Sequence, residues 1–368
     1  MAPSLKAPPS PKAGVSLKEF ERRRERLMEL MESDSIAVLP SAPVRMRNRD
    51  TEYPYRQESD FLYLSGFTEP DAVLVLVPGR AQGETILFCR ERDADMERWT
   101  GPRVGPERAM QMLHVDDAFP ITDMDDILPG LLEGRRRVYY TMGVNLEFDR
   151  RVMDWVNMLR AQTTKGAEPP DEFVDLGHLL HDLRLIKSAA ERRIMRQAGE
   201  ITAAGHRRAM ARVHPGMTEQ QLEAELLYEF MRRGARFPAY PCIVGGGENA
   251  CIMHYTHNQA VLCDGDLVLV DAGCELEHYA ADLTRTYPVN GAFTSAQRAL
   301  YEVVLAAQKA AIESVAPGAH FNAPHEAAVE VLAEGLLTLG IMNGDAREIL
   351  EDESYRRYSV HKSSHWLG

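Results

Sequence analysis

Two aspartates frame a predicted β-hairpin, and this pattern constrains the chain more than any other feature of the sequence. Asp271 ends the apolar run 267–270, and Asp282 opens the next β-rich run. A turn centred between Leu276 and Glu277 places the two aspartates directly opposite each other on one face of the hairpin. Facing Cβ atoms lie about 4.5–5.5 Å apart, and carboxylates at that spacing can share two cations about 3.5–4 Å apart. The pattern predicts a two-metal site suited to hydrolysis.

Each aspartate also has an ordinary interpretation. Asp271 precedes Ala272 and Gly273, and aspartate with glycine is common where a strand ends in a turn. Asp282 is harder to explain in this way, because it follows Ala281 in an apolar strand, where a carboxylate is costly unless it is paired or binds a cation. We therefore favour metal ligation for the pair.

Three histidines outside the hairpin, one just before it and two further downstream, are candidates for the same site. His361 and His365 are four residues apart, which puts them on one side of a strand or a helical turn. His254 follows the glycine run 245–247, which predicts close backbone approach. Satisfied surface histidines and a flexible loop without a role are the alternatives. Beside two aspartates, however, an imidazole can complete a site for manganese, cobalt or zinc.

Charge and cysteine content limit the partners and the compartment. The formal net charge of -13 disfavours nucleic acid or an anionic membrane as the main partner, because polyanions select basic surfaces. The five cysteines contain no Cys-x-x-Cys pair, which argues against a disulfide framework or a thiolate zinc site. No apolar run approaches the roughly 18 residues of a membrane span. We expect a cytoplasmic protein with a small-molecule or peptide substrate.

Sequence patterns divide the chain into a proline-rich start and two domains. Residues 1–14 are expected to be disordered. Residues 15–175 alternate helical patterns with short β-rich runs, which predicts an α/β domain. Residues 176–368 combine long helices with an antiparallel hairpin, which predicts an α+β domain. A Thr-, Lys-, Gly- and Pro-containing segment at 163–172 marks the boundary between them.

Start signals and apolar periodicity locate individual elements. Capping boxes predict helices that begin after Ser16, Thr218 and Thr294. The predicted strands of the first domain are 36–39, 72–77, 85–89 and 137–141. Those of the second domain are 261–271 and 279–289.

Short motifs along the chain carry a family resemblance. They are segments 53–61 and 66–70 in the first domain, and segments 234–236, 252–255 and 365–368 in the second. With these motifs the chain resembles the Xaa-Pro aminopeptidase family, aminopeptidase P, over all but about the first dozen residues. The resemblance implies that the α+β domain is a pita-bread catalytic domain, the fold shared with methionine aminopeptidase, prolidase and creatinase.

The resemblance also implies a ligand set. Asp271, Asp282 and His365 are the implied ligands of two divalent ions, with Asp282 bridging them. Manganese is the implied metal, and cobalt or zinc would also suit the donors. The family pattern continues past residue 368 with two glutamate ligands and a further catalytic histidine. We therefore expect a C-terminally incomplete catalytic domain, as a fragment of a longer enzyme or as a defective product that binds cations weakly.

Five further residues receive roles from the resemblance. His254 and His361 are implied catalytic residues that bind substrate and stabilise the transition state. Tyr240 would support the metal ligands through hydrogen bonds, and it forms the implied substrate-binding set with Asp50 and Trp99. The last two match positions that reach a neighbouring subunit's site in bacterial members. A homo-oligomer, either a dimer or a tetramer, is the implied assembly.

The implied reaction releases the first residue of a peptide whose second residue is proline. The scissile nitrogen carries no N–H, so a pocket must select the pyrrolidine ring by shape. A hydroxide bridging the two metals would attack the carbonyl carbon. The alternatives are a prolidase that cuts Xaa-Pro dipeptides and a non-catalytic pita-bread module that binds peptides or partner proteins. Metal-free chemistry of the creatinase type is disfavoured because both aspartates are present.

Overall fold

The chain folds into two compact units. A computed structural model describes residues 14–367, and the units are Met1–Arg193 and Ile194–Gly368. The tail expected at residues 1–14 lies outside the described residues except for Gly14. The units divide later than the domain boundary expected after residue 175, because Leu176 and Leu180 are buried in the core of the first unit.

The first unit contains a six-stranded mixed sheet and the helices that cover it. The strands are β1 (Ser35–Pro40), β2 (Val73–Leu76), β3 (Thr85–Cys89), β4 (Asp117–Pro120), β5 (Arg137–Tyr139) and β6 (Glu172–Val174). The helices are α1 (Leu17–Leu30), α2 (Ser59–Ser65), α3 (Ala94–Thr100), α4 (Pro106–Leu113), α5 (Met124–Leu132), α6 (Leu146–Arg160) and α7 (Gly177–Leu185). The strand order is β4-β3-β2-β1-β5-β6.

Both faces of this sheet are buried. In β1, Ala37 and Leu39 pack into one core with residues of α1, α2, α4 and α7. The alternate residues Ile36 and Val38 pack into a second core with residues of α5 and α6. Because successive side chains of a strand point to opposite faces, a strand that is apolar throughout requires such a three-layer arrangement. The α/β architecture predicted for this part of the chain is confirmed.

The second unit combines helices with two small antiparallel sheets. Its helices are most of α8 (Ala189–Arg212), α9 (Glu219–Arg232), α10 (Ser295–Glu313), α11 (Ala323–Thr338) and α12 (Ala346–Glu351). Its strands are β7 (Phe237–Pro238), β8 (Ile243–Gly246), β9 (Leu267–Asp271), β10 (Cys274–Leu276), β11 (Tyr279–Ala280) and β12 (Thr284–Pro288). The two sheets have the orders β11-β10-β7 and β12-β9-β8, which confirms the α+β prediction.

Helix starts in the structure follow the sequence signals closely. Thr218 and Thr294 each form a complete capping box with the residue three positions later. Ser16 precedes α1 as expected, but its side chain makes no capping hydrogen bond, so the predicted capping box there is wrong. Among residues 14–367, no helix has both the length and the apolar character needed to cross a membrane.

The hairpin that carries the two aspartates turns one residue later than predicted. Glu277 and His278 have φ angles of 48° and 67°, and two positive φ values are the pattern of a two-residue type I′ turn. Leu276 consequently pairs with Tyr279. The predicted turn, centred between Leu276 and Glu277, is therefore wrong.

This shift changes the pairing of the aspartates but not the face they share. Asp271 pairs with Thr284, so the predicted direct pairing of Asp271 with Asp282 is wrong. Asp282 lies two residues from Thr284, in the diagonal position on the same face. The face is retained because side chains alternate with a period of two, so moving the partner by two residues returns to the same side.

The hairpin is also interrupted beside the aspartates. Asp282 lies in the irregular link between β11 and β12, so the continuous strand predicted over 279–289 is wrong at this point. Opposite this link, a Cβ atom on Gly273 would lie 1.6 Å from the carbonyl oxygen of Ala281. Only glycine permits two backbones to approach so closely. Gly273 therefore allows the bend that separates the two sheets.

Replacing Gly273 by alanine is expected to disrupt this bend. The added Cβ would overlap backbone, which cannot move aside as a flexible side chain could, and overpacking of this kind costs about 1–3 kcal/mol or more. We expect the free energy of unfolding in urea to fall by at least that amount. The matched control is Gly199→Ala in α8, where a Cβ meets nothing within 4 Å. Equal stability of the two variants would contradict the assignment.

Candidate active site

A tyrosine hydroxyl joins the two aspartates. The Oη atom of Tyr240, which follows β7, lies 2.6 Å from Oδ1 of Asp271 and 3.0 Å from Oδ1 of Asp282. Burial and the hydrogen bond to Asp271 raise the pKa of Tyr240 far above its ordinary value, so the hydroxyl stays protonated. The hydroxyl has one hydrogen, so it can donate to only one of the two carboxylates at a time. The two carboxylates therefore have more acceptor oxygens than this hydroxyl can satisfy.

His365 contacts the second aspartate. Its Nε2 atom lies 3.0 Å from Oδ2 of Asp282, and its Nδ1 atom lies 2.9 Å from the carbonyl oxygen of Trp366. The bond to the Trp366 carbonyl and the nearby Asp282 carboxylate raise the pKa of His365. A backbone carbonyl that accepts from Nδ1 fixes the ring so that Nε2 faces the carboxylates. Metal-ligating histidines are commonly oriented in this way.

The chemistry of these donors suits a divalent cation. Two carboxylates and one imidazole are the mixture that manganese, cobalt and zinc accept, and a cation would offset the shortage of donors between Asp271 and Asp282. In the described range 14–367, no cluster of three or more His, Cys, Asp or Glu side chains is arranged to hold a metal ion as it stands. The structure brings Asp271, Asp282, Tyr240 and His365 together, and their assignment as ligands and support stays a prediction.

The two predicted catalytic histidines are exposed. His254 follows the 3₁₀ turn Gly247–Cys251. His361 lies in the irregular segment after α12, with Nδ1 2.5 Å from the carbonyl oxygen of Lys362. Neither ring hydrogen-bonds to Asp271 or Asp282 in the part of the chain that the structure describes. Their roles toward substrate stay predictions.

The glycine run before His254 is only partly a loop. Gly245 and Gly246 lie in β8 and pair with β9, so a flexible loop over this run is excluded for these two residues. A Cβ on Gly245 would lie 2.9 Å from backbone atoms of Asn249 and Ala250. The close backbone approach predicted from the glycines is therefore present.

The remaining two candidates belong to the first unit. Asp50 is an exposed residue of the segment between β1 and α2. Trp99 lies on α3, and 85% of its surface is exposed. Aromatic residues, tryptophan among them, are enriched at protein interfaces. Their assignment to substrate binding stays a prediction.

Sequence reasoning missed two buried polar residues of the second unit. His206, on α8, is buried, and its Nε2 atom lies 3.0 Å from the carbonyl oxygen of Ala272. Burial lowers the pKa of His206, so the neutral ring is the favoured donor to the bend at Gly273. Glu219 is fully buried at the start of α9. No local signal marks His206, which directly precedes two arginines on a helix with several charged residues, and Glu219 looks like an ordinary acidic residue in a first helical turn.

Comparisons with known families and proteins agree along the chain. The profile of "Metallopeptidase family M24" matches residues 193–368, and that of "Aminopeptidase P, N-terminal domain" matches residues 20–140. Xaa-Pro aminopeptidase of Escherichia coli strain K12 is 43% identical over 96% of this chain and 80% of its own length. Xaa-Pro aminopeptidase of Haemophilus influenzae is 43% identical over 97% of this chain and 80% of its length.

Solved structures give the same result. Aminopeptidase PepP of Pseudomonas aeruginosa matches with a TM-score of 0.94 and 54% identity, over 96% of this chain and 80% of that one. A zinc-substituted Escherichia coli aminopeptidase P in complex with product matches with a TM-score of 0.94 and 43% identity, over 96% and 81% of the two chains. The α/β amino-terminal domain and the pita-bread catalytic domain implied by the sequence are thereby confirmed. The chain belongs to the aminopeptidase P family and is a metallo-exopeptidase.

Proposed function

We propose that this metal-dependent aminopeptidase hydrolyses the bond between the first residue of a peptide and a following proline, at a centre that holds two divalent ions. The observation that carries the proposal is the grouping of Asp271 and Asp282 around the hydroxyl of Tyr240, with His365 on Asp282. The names of the relatives, Xaa-Pro aminopeptidases, support the choice of substrate.

The ions would be held by Asp271, Asp282 and His365. Divalent cations bound there would supply Lewis acidity, which lowers the pKa of water and polarises the scissile carbonyl. Manganese is the proposed native ion, and cobalt and zinc suit the same donors. Support for metal exchange comes from a relative, since the Escherichia coli enzyme has been solved in a zinc-substituted form.

The protein's own side chains would orient the ligands and the peptide. Tyr240 holds the two carboxylates in a fixed relation, and the Trp366 carbonyl fixes the ring of His365. His254 and His361, both exposed to solvent, are the proposed donors to the developing oxyanion and to the proline nitrogen. Tyr240 belongs to the proposed substrate-binding set, and Asp50 and Trp99 would join it from a neighbouring subunit.

Specificity would come from the shape of the subsite for the second residue. Proline has no N–H, so a site that docks substrates through main-chain hydrogen bonds binds it poorly. A pocket shaped to the pyrrolidine ring gains contact surface with the ring, and it needs no hydrogen bond from the missing N–H. The free amino terminus of the peptide would limit cleavage to one residue.

Removing the charge of Asp282 is expected to remove metal binding. Asp282→Asn keeps the size of the side chain and deletes its charge, so the affinity for manganese should fall by at least about 100-fold, with a matching loss of activity. Isothermal titration with Mn²⁺ measures this directly. The matched control is Asp264→Asn, an exposed aspartate of the same unit that accepts a bond from Asn290. If Asp282→Asn binds manganese as the parent chain does, the proposed ligand set is wrong.

A substrate panel separates the proposed activity from its alternatives. We expect the manganese-loaded protein to cleave Xaa-Pro-Yaa tripeptides and longer peptides, and replacement of the proline by alanine to lower kcat/KM by about 10–200-fold, the range for shape discrimination in an apolar pocket. Chromatographic detection of the released first residue measures this. Cleavage confined to Xaa-Pro dipeptides would indicate a prolidase. Metal binding without cleavage of any peptide would indicate a non-catalytic module.

The proposed assembly is a homo-oligomer, either a dimer or a tetramer. Trp99 supports this proposal because 85% of its surface is exposed. We expect light scattering to give two or four chains, and Trp99→Ala to raise KM for a tripeptide because a neighbouring subunit would then lose a substrate contact. Leu146→Ala is the matched control, since Leu146 is also an exposed apolar residue of the first unit. A fully active monomer would contradict the proposal.

The proposed compartment is the cytoplasm. All five cysteines are free thiols, and three of them are buried. Unpaired cysteines are typical of reducing compartments, whereas secreted proteins of this kind usually pair theirs. Cell fractionation followed by immunoblotting tests the assignment.

A further inference from the structure

One buried carboxylate collects four hydrogen-bond donors from a single segment. Glu219 is 0% exposed. Its Oε1 atom accepts from the backbone N–H of Gly246 at 2.9 Å and from Nδ2 of Asn249 at 3.0 Å. Its Oε2 atom accepts from the hydroxyl of Tyr255 at 2.8 Å and from the backbone N–H of Ala260 at 2.9 Å. A buried carboxylate is stable only when it is satisfied in this way.

These donors span residues 246–260, named here the histidine loop because the segment carries His254. The loop closes on the start of α9. The backbone N–H of Glu219 donates to the carbonyl of Ala260 at 2.9 Å, and that of Leu262 donates to Met217 at 2.8 Å. The backbone at the start of α9 therefore binds the end of the loop at Ala260. The side chain of Glu219 binds the interior of the loop.

Asn258 braces the same loop from the side of β8. It is 2% exposed and has a φ of 48°, which is unusual for a residue other than glycine. Its amide accepts from the N–H of Val244 at 3.0 Å and donates to the carbonyl of Cys242 at 2.8 Å and to Glu223 at 3.0 Å. The base of the loop is thus fixed to both β8 and α9.

The tip of the loop, in contrast, is exposed. Ile252 and Met253 are 54% and 48% exposed, and His254 is exposed as well. His254 directly precedes Tyr255, and consecutive Cα atoms are about 3.8 Å apart. Burial and the neighbouring Glu219 carboxylate raise the pKa of Tyr255, so its hydroxyl remains a donor. The bond from Tyr255 to Glu219 consequently fixes the backbone beside His254.

We propose that Glu219 is a positioning residue that presents His254 to the peptide substrate. The inference rests on the proposed role of His254 in peptide cleavage. Glu219 acts through the histidine loop and touches no reacting atom. Glu219 accepts hydrogen bonds from both ends of the histidine loop, and in this way it holds the exposed His254 at the tip of the loop.

Hydrogen exchange tests the loop directly and needs no activity. In Glu219→Gln, an NH₂ group replaces one acceptor and faces two donors, so amide exchange across 246–260 should become at least about tenfold faster. The control is Glu229→Gln on the same helix. Glu229 is also buried, but its partners are Arg232 and Arg233. Unchanged exchange in Glu219→Gln would overturn the proposal.

A milder variant distinguishes a local effect on the loop from a general loss of folding. Tyr255→Phe removes one of the four donors and leaves the carboxylate in place. We expect exchange of the loop to rise in this variant, by less than in Glu219→Gln, while exchange of α10 stays at the parent rate. A uniform rise along the whole second unit in both variants would show a structural role only and would overturn the proposal.

A double-mutant cycle then links the loop to the reaction. With an Xaa-Pro tripeptide, Glu219→Gln should lower kcat/KM by about 100-fold, the effect of misplacing a catalytic group by about 1 Å. In a His254→Ala background the same change should cost less than about twofold, because the positioned group is gone. Full additivity, together with faster loop exchange, would overturn this inference alone. Full activity of His254→Ala would instead show that the proposed role of His254 is wrong.

Discussion

The candidate site depends on holding two carboxylates close together, which like charges resist. Two donor groups offset that repulsion here. The hydroxyl of Tyr240 lies between Asp271 and Asp282, and His365 lies against Asp282. The backbone makes the arrangement possible, because Gly273 allows the hairpin to bend beside the aspartates. The chemistry proposed for the site therefore rests on a steric property of one residue without a side chain.

Much of the fold could be predicted from apolar periodicity. The runs that became β1, β2 and β3 are almost entirely apolar, as strands with both faces buried must be, and Val138 and Tyr139 of β5 follow the same pattern. Strands β4 and β6 were missed because they are short and carry Asp117 and Glu172, so pairing with neighbours decides their conformation. The hairpin turn was misplaced for a similar reason. Glu277 and His278 adopt positive φ angles without the Asn-Gly or Asp-Gly signal of such a turn.

The site was predictable where its residues carry a pattern and not where they act through long-range contacts. Asp271 and Asp282 stand out because aspartates end and open apolar runs. Glu219 resembles any acidic residue in a first helical turn, yet its carboxylate binds donors from 27 to 41 residues away. His206 likewise meets the Ala272 carbonyl across 66 residues. Such partners are set by packing of α8 and α9 on the sheets, which no local window of sequence contains.

The type I′ turn at Glu277 and His278 has a consequence for how this hairpin can diverge. A strand presents alternate residues to opposite sides, so a deletion or insertion of a single residue within a paired arm of the hairpin would turn one acid away from the other, whereas the turn can take a third residue without changing that pairing. Loss or gain of two residues would leave both on a common side. The paired arms that carry these two acids should therefore vary in length by even steps, whereas the turn that joins them can vary by single residues.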